Sequence, residues 1–271
     1  MDRTRNKLIA VITGICLAVT FVAAGLALCM QPLATDQFAK TACVDSASIS
    51  PFTADQLAEG AKATREYTVG NHNVRELQIA EARINVELYD TSRTSSPLTT
   101  QEAESLRQIV AAYNNGRGVD YTSLKQILDG LDERYALDDT AIGHLDDVYD
   151  VINYAIPILI ALAVAALIGA LWTIKLGDHK TKGKMFLFPG AVLLVVFAAL
   201  GAWAAVDFYG FFNAFHSLFF SNGSWLFSYD SLLICMLPQD FWMDMGILWL
   251  ATTAILSVIS VAFGIKLLRK S

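Results

Sequence analysis

Residues 151–174 read VINYAIPILIALAVAALIGALWTI and contain no Asp, Glu, Lys or Arg. An α-helix rises about 1.5 Å per residue, so roughly 20 such residues cross the hydrocarbon core of a bilayer, which is about 30 Å thick. Three more stretches are equally long and uncharged: Leu8–Met30, Met185–Val206 and Met245–Ile265. The sequence therefore predicts an all-α membrane protein with four transmembrane helices and, between the first two of them, a mostly helical extracytoplasmic cap.

Basic residues beside these stretches predict the orientation. Cytoplasmic flanks of spans are enriched in Lys and Arg. Ten such residues flank the spans at the amino terminus, in the link between spans two and three, and in the tail: Arg3, Arg5, Lys7, Lys175, Lys180, Lys182, Lys184, Lys266, Arg269 and Lys270. The segment 207–244 has no Lys or Arg, which predicts an outer loop. We expect a multi-pass membrane protein with both termini in the cytoplasm and residues 31–150 outside. The first stretch is too long for a signal-peptide core, so we expect it to stay as an anchor.

The spans divide the chain into five regions: 1–30, a stub with helix 1; 31–150, the cap; 151–206, helices 2 and 3; 207–244, an aromatic outer loop; and 245–271, helix 4 with the tail. The cap carries 20 Asp and Glu against 10 Lys and Arg. Nucleic-acid binding requires a basic surface, so this balance argues against a nucleic-acid partner.

Local patterns in the cap favour helices. Thr99 and Glu102 form a capping-box pattern, and Leu124, Leu128 and their neighbours form an apolar stripe. The stretch Arg83–Asp90 alternates, which suits a strand as well as a helix. His72 lies in a predicted loop, where we expect a solvated side chain. The four cysteines leave two alternatives open: free thiols, or a Cys43–Cys235 or Cys29–Cys43 disulfide.

Two histidines stand at the same predicted level outside the membrane. His144 precedes Val151 by seven residues, and His216 follows Val206 by ten. If each segment continues its helix, both rings lie about 10–15 Å beyond the hydrocarbon edge, where they can meet. Asp147 is three residues after His144 on the same helix face, so its carboxylate is a candidate to orient the imidazole and fix its tautomer.

Aromatic residues crowd the segment that follows the third span. An interfacial aromatic belt explains such residues without any site. A lined substrate pocket is the alternative, because the residues concentrate in one loop. The candidate substrate-binding residues are Phe211, Phe212, Phe215, Phe219, Phe220, Trp225, Asp230 and Trp242.

At these two segments the chain resembles the bacterial lipoprotein intramolecular transacylase family, Lit. The resemblance lies in His144-x-x-Asp147-Val148 and Phe215-His216-x-x-Phe219-Phe220, then in Trp225, Asp230, Pro238 and Phe241-Trp242, with four spans in the same order. It covers roughly half of the chain and leaves the cap from Gln31 to about Ala136 unmatched.

The resemblance implies a reaction and its residues. The family moves an acyl chain from the sn-2 ester of a lipoprotein's diacylglyceryl cysteine to the α-amino group of that cysteine, which gives a lyso-form lipoprotein. Two histidines are catalytic, here His144 and His216. The implied partners are diacylated bacterial lipoproteins and membrane lipid, and no cofactor or metal is expected.

Three other interpretations compete with this one. His144, His216 and Asp147 could be ligands of Zn²⁺. The chain could instead be a non-catalytic receptor or sensor whose cap binds a ligand. A serine hydrolase that uses Ser217 or Ser221 is disfavoured because the sequence has no nucleophile elbow.

Overall fold

The computed structural model describes residues 3–220 and 223–270. Within these residues every regular secondary-structure element is a helix, and turns or loops connect the helices. The helices are α1 (Arg3–Cys29), α2 (Pro32–Ser46), α3 (Ala54–Val69), α4 (Val74–Thr91), α5 (Thr100–Asn114), α6 (Tyr121–Asp129), α7 (Asp139–Leu176), α8 (His179–Val206), α9 (Phe208–Ser217), α10 (Leu232–Met236) and α11 (Gln239–Leu268). Four of them, α1, α7, α8 and α11, are long and apolar enough to cross a membrane. The predicted fold class is confirmed.

The chain divides into two compact units. The membrane unit comprises residues 3–29, 153–218 and 245–270, and the polar unit comprises 30–152, 219–220 and 223–244. Helix α7 contributes its first turns to the polar unit and its apolar run to the membrane unit.

Small residues let the helices of the membrane unit approach closely. A Cβ atom added to Gly25 of α1 would lie 2.4 Å from Cδ1 of Trp249 on α11, and one added to Gly190 of α8 would lie 2.6 Å from the carbonyl oxygen of Ser257. Lipid gives no hydrophobic driving force between helices, so close backbone packing and interhelical hydrogen bonds hold them together. One such bond runs from Nε1 of Trp249 to the carbonyl oxygen of Val22, at 2.9 Å.

The polar unit is built from capped, amphipathic helices. Thr99 and Glu102 form the predicted capping box at the start of α5, with the Thr99 hydroxyl accepting from the Glu102 N–H at 3.2 Å. The predicted stripe on α6 is also found, since Leu124 and Leu128 are buried in a core that α4 and α5 complete. All four cysteines are free thiols, so of the two alternatives left open by the sequence the disulfide is wrong.

Residues 83–90 are helical, so the strand alternative is wrong. They belong to α4, whose N-cap is Asn73, with its side chain accepting from the Arg75 N–H. Leu77, Ile84 and Leu88 are buried on one side of this helix, with spacings that follow the helical period. The alternation of apolar residues over the short stretch reflects a wide buried face rather than a strand.

Helix α10 fixes the segment after α9 within the polar unit. Leu232, Leu233, Cys235 and Met236 are buried, and the Leu232 N–H donates to the carbonyl oxygen of Glu133 at 2.8 Å. Met236 packs so closely on α3 that a Cβ atom at Gly60 would lie 2.2 Å from its sulfur. The Cys43 thiol of α2 donates to the Met236 carbonyl oxygen at 3.5 Å. Residues 231–236 are therefore held by both α2 and α3.

The core of the polar unit contains a buried carboxyl group. Glu81 of α4 is only 2% exposed, and its Oε1 accepts no hydrogen bond. Burial raises the pKa of Glu81 from 4.5 to about 8; the backbone N–H of Leu137 opposes the shift, and the negative charge of Asp129 adds to it. Glu81 is therefore a neutral acid at neutral pH.

Glu81 should make the polar unit less stable as the pH rises. In the unfolded chain the carboxyl ionises near pH 4.5, whereas in the folded chain it stays protonated up to about pH 8. The free energy of unfolding should then fall between these values by up to about 1.4 kcal/mol per pH unit and level off above them. We expect Glu81→Gln to remove this loss, because the amide cannot ionise.

Thermal unfolding of the full chain in detergent micelles at pH 5 and pH 8 measures the effect. The unfolding midpoint of Glu81→Gln, relative to the unchanged chain, should rise between pH 5 and pH 8, by roughly 2–4 °C for each kcal/mol removed. Exposed Glu104 on α5 supplies the control, since Glu104→Gln should give the same difference at both pH values. A Glu81→Gln difference that is the same at both pH values would contradict the assignment.

Candidate active-site residues

His144 lies near the start of α7, within the polar unit. The Asp138 side chain accepts a hydrogen bond from the Ala141 N–H at 2.7 Å and so caps α7, the helix that carries His144. The imidazole is only 8% exposed. Its ring lies edge-on to Phe220, with centroids 4.9 Å apart, and 5.8 Å from the ring of Phe227. Two phenylalanines from one loop thus cover a histidine that is distant in sequence.

His216 lies in the last turn of α9, within the membrane unit. Asp207 caps this helix by accepting from the Gly210 N–H at 2.9 Å. Nδ1 of His216 is 2.9 Å from the carbonyl oxygen of Phe212, and the two rings are 3.9 Å apart. A carbonyl oxygen can only accept, so Nδ1 carries the proton and Nε2 is the basic nitrogen of the neutral ring.

The surroundings of His216 favour its neutral form. Burial lowers the pKa of His216 from 6.5, and the hydrogen bond to the Phe212 carbonyl oxygen partly opposes the shift. At neutral pH the residue is therefore a base in its unprotonated state.

The predicted aromatic residues are divided between the two units. Phe211, Phe212 and Phe215 are on α9 in the membrane unit, and Phe219, Phe220, Trp225 and Trp242 are in the polar unit. Within the polar unit Phe220 contacts His144, and Trp242 packs edge-on to Phe241. Asp230 interacts electrostatically with Arg134 and Cys235. Phe227 was missed as a candidate residue, because its loop gives no periodicity that points toward His144.

Asp147, the predicted orienting carboxylate, has an exposed side chain. Its neighbour Asp146 instead contacts two other side chains of the polar unit. Asp146 accepts a hydrogen bond from the Tyr67 hydroxyl, and its Oδ1 is 3.7 Å from Nε2 of His72. No local pattern predicts this contact, because Tyr67 and Asp146 are 79 positions apart.

His72 is in a loop, as predicted, but it is not the solvated side chain that was expected. Only 29% of its side chain is exposed. The imidazole is stacked between Tyr67 and Tyr149, with centroid distances of 4.5 Å and 3.7 Å and nearly parallel planes. The prediction was wrong because both tyrosines come from helices that flank the loop in space.

The structure describes residues on which the serine-hydrolase and zinc interpretations depend. Ser217 donates its hydroxyl to the carbonyl oxygen of Asn213 at 2.6 Å, and Ser221 lies outside the described residues. Across residues 3–220 and 223–270, no group of three or more His, Cys, Asp or Glu side chains is arranged to hold a metal ion.

A family model described as lipoprotein intramolecular transacylase Lit matches residues 77–242, which is more than half of the chain. The chain belongs to the Lit family. Membership confirms the predicted class, an acyltransferase of bacterial lipoproteins, and favours it over a receptor. The match begins at Leu77, well before the expected start near Ala136, so it extends into the polar unit.

Solved structures share the fold of this Lit family member. The membrane-integral lipoprotein intramolecular transacylase Lit from Bacillus cereus is 18% identical, with a TM-score of 0.65 over 99% of this chain and 98% of that chain. A structure of the same protein with a histidine-to-alanine mutation is 17% identical, with a TM-score of 0.59 over 98% and 95% of the two chains. No curated protein matches the sequence. These likenesses establish the fold of a membrane-integral Lit protein.

Proposed function

We propose that this chain moves the sn-2 acyl group of a lipoprotein's diacylglyceryl cysteine to the α-amino group of the same cysteine, with His144 and His216 as catalytic residues. The observation that carries the proposal is the family match, because residues 77–242 include both histidines and the aromatic segment after the third span. The product is a lyso-form lipoprotein with one amide-linked and one ester-linked chain.

The first requirement of this reaction is a base. An α-amino group has a pKa of about 7.7–8.0 and must lose a proton to form an amide. We assign this step to Nε2 of His216, since the Phe212 carbonyl oxygen holds the proton of the ring on Nδ1 and burial keeps the ring neutral. The amine nitrogen then bonds to the ester carbonyl carbon.

The second requirement is stabilisation of the negative charge that forms. Attack gives a tetrahedral oxyanion, and its collapse breaks the bond to the glyceryl oxygen, which must take up a proton. We assign the hydrogen bond to the oxyanion to the ring N–H of His144, and the transfer of a proton to the glyceryl oxygen to the imidazolium that His216 becomes when it takes the proton of the amine. The proton that leaves the attacking nitrogen of the uncharged amine thus ends on the glyceryl oxygen and His216 returns to its neutral form, so the reaction needs no co-reactant.

The aromatic residues supply the remaining conditions. Phe220 and Phe227 cover His144, and Phe212 covers His216, so each imidazole has an apolar neighbour that keeps water away. Water is the competing nucleophile for the ester. Both reacting groups belong to one flexible molecule, and confinement of such groups can be equivalent to effective molarities of about 10⁵ M or more. We therefore propose that eight residues bind the substrate: Phe211, Phe212, Phe215, Phe219, Phe220, Trp225, Asp230 and Trp242. We also propose that Asp147, three residues after His144 on α7, orients the His144 imidazole.

Mass spectrometry of lipoprotein N-terminal peptides tests the activity. The chain is expressed in a bacterium whose lipoproteins carry diacylglyceryl and a free amine. The amide-linked monoacylglyceryl form should appear, and His144→Ala or His216→Ala should each reduce it by about a hundredfold or more, since acid–base groups contribute about 10²–10⁴-fold. The matched control is His179→Ala, at the exposed first residue of α8, which should leave the product unchanged. Absence of the product in the unchanged chain would rule out the proposed activity.

We further propose that both termini are cytoplasmic and that residues 31–150 are extracytoplasmic, on the side where the substrate's acylated end group is accessible. Lys180 and Arg117 are both exposed and allow a direct test. In intact cells a membrane-impermeant maleimide should label Arg117→Cys, and it should label Lys180→Cys only after permeabilisation. The unchanged chain controls for its four native thiols. Labelling of Lys180→Cys, but not Arg117→Cys, in intact cells would reverse the orientation.

A further inference from the structure

The turn between α3 and α4 has an unusual backbone at His72. Among the described residues His72 is the non-glycine residue with a positive φ, at 52°. This left-handed region is strained for most side chains and is easily adopted by Gly or Asn. The turn contains Gly70, Asn71 and Asn73, yet the left-handed position is occupied by histidine. Histidine is one of the residue types that adopt this region more often than most, so the contacts of its ring, rather than the backbone alone, must show what it does here.

The contacts of His72 show what the side chain holds. Nδ1 is 3.1 Å from the carbonyl oxygen of Tyr67, to which it donates, and the ring is stacked between Tyr67 and Tyr149. Nε2 faces Oδ1 of Asp146, the atom that also accepts the Tyr67 hydroxyl. Burial, followed by the bond to Asp146, raises the pKa of Tyr67, so its hydroxyl remains a donor at every physiological pH. The His72 ring thus stacks on Tyr149 of α7, and the Tyr67 hydroxyl bonds to Asp146 of the same helix.

Helix geometry relates these two residues to His144. Successive side chains on an α-helix are about 100° apart, so Asp146 points about 200° from His144 and Tyr149 about 140° from it. Asp146 and Tyr149 therefore share the face opposite to His144. On the other face, His144 packs against Phe220 and Phe227. The first turns of α7 are fixed from both sides, and a loss of contacts on the Asp146 side would let the helix turn and redirect the imidazole.

We propose that His72, Tyr67 and Asp146 are positioning residues: together they fix the rotation of the first turns of α7 and so aim the His144 imidazole at the substrate. The inference rests on the proposed function, in which His144 is catalytic. None of the three residues takes part in proton transfer.

His72→Gly is the most informative variant. It removes the ring and its contacts with α7 but relieves the strained backbone, so the turn itself should still form. We expect kcat for a diacylated lipopeptide to fall by about ten- to a hundredfold, since a displacement of about 1 Å at a reacting group can cost a hundredfold. KM should change less than about twofold, because substrate binding does not involve this turn.

His72→Asn separates the backbone from the ring. Asn also tolerates the left-handed conformation but cannot stack between the tyrosines, so it should lose as much kcat as His72→Gly. Tyr67→Phe keeps the stack and removes only the hydroxyl bonded to Asp146, and it should cause a smaller loss of kcat. The matched control is His179→Asn, which makes the same change at the exposed first residue of α8 and should leave kcat unchanged.

These outcomes separate the inference from the proposed function. If the purified unchanged chain forms no amide-linked product, the proposed function fails. If that chain is active and His72→Gly or His72→Asn folds, as shown by its thermal unfolding, with an unchanged kcat, the positioning role is overturned. A rise in KM at constant kcat would also overturn it. Should both His72 variants fail to fold, an unchanged kcat in Tyr67→Phe would decide against the proposal.

Discussion

The hydrocarbon core of a bilayer offers no water to satisfy backbone N–H and C=O groups, so each crossing must form its hydrogen bonds within itself. This constraint explains the most regular part of the molecule. The spans contain no charged residue over more than 20 positions, and glycines such as Gly25 and Gly190 let the facing helices approach closely. Polar contacts between them are few and short, as for Trp249 with the Val22 carbonyl oxygen.

The same constraint makes helix length informative. Helix α7 has 38 residues, which at about 1.5 Å per residue is far longer than a bilayer core requires. Its first turns, with Asp139, Asp146 and Asp147, are too polar for the core. They instead carry His144, so the side chain that we propose as catalytic lies on a helix rather than on a loop. The rotation of a helix about its own axis sets the direction of its side chains. Contacts on the face opposite to His144 therefore affect the direction of the His144 imidazole.

The parts of the fold that depend on local sequence were predictable. Uninterrupted apolar runs predicted the four spans, and the Thr99 and Glu102 pattern predicted the start of α5. The site was predictable only in part. The environment of His144 comes from Phe220 and Phe227, and that of His72 from Tyr67 and Tyr149, and all of these depend on tertiary packing. A short-range pattern also gave a wrong alternative at residues 83–90. Apolar residues alternate there, which suited a strand, but the segment is a helix with a wide buried face.

Burial acts in opposite directions on the acidic and basic groups of this chain, and both effects lead to neutrality. Burial keeps Glu81 protonated in the core of the polar unit, and it keeps His216 unprotonated on α9. For Glu81 the result is a loss of stability with rising pH and no evident chemical task. For His216 the same desolvation provides a base that is ready at neutral pH, and the Phe212 carbonyl oxygen directs its basic nitrogen. In the proposed reaction an uncharged amine attacks an uncharged ester, and a base that is neutral in an apolar environment suits that attack.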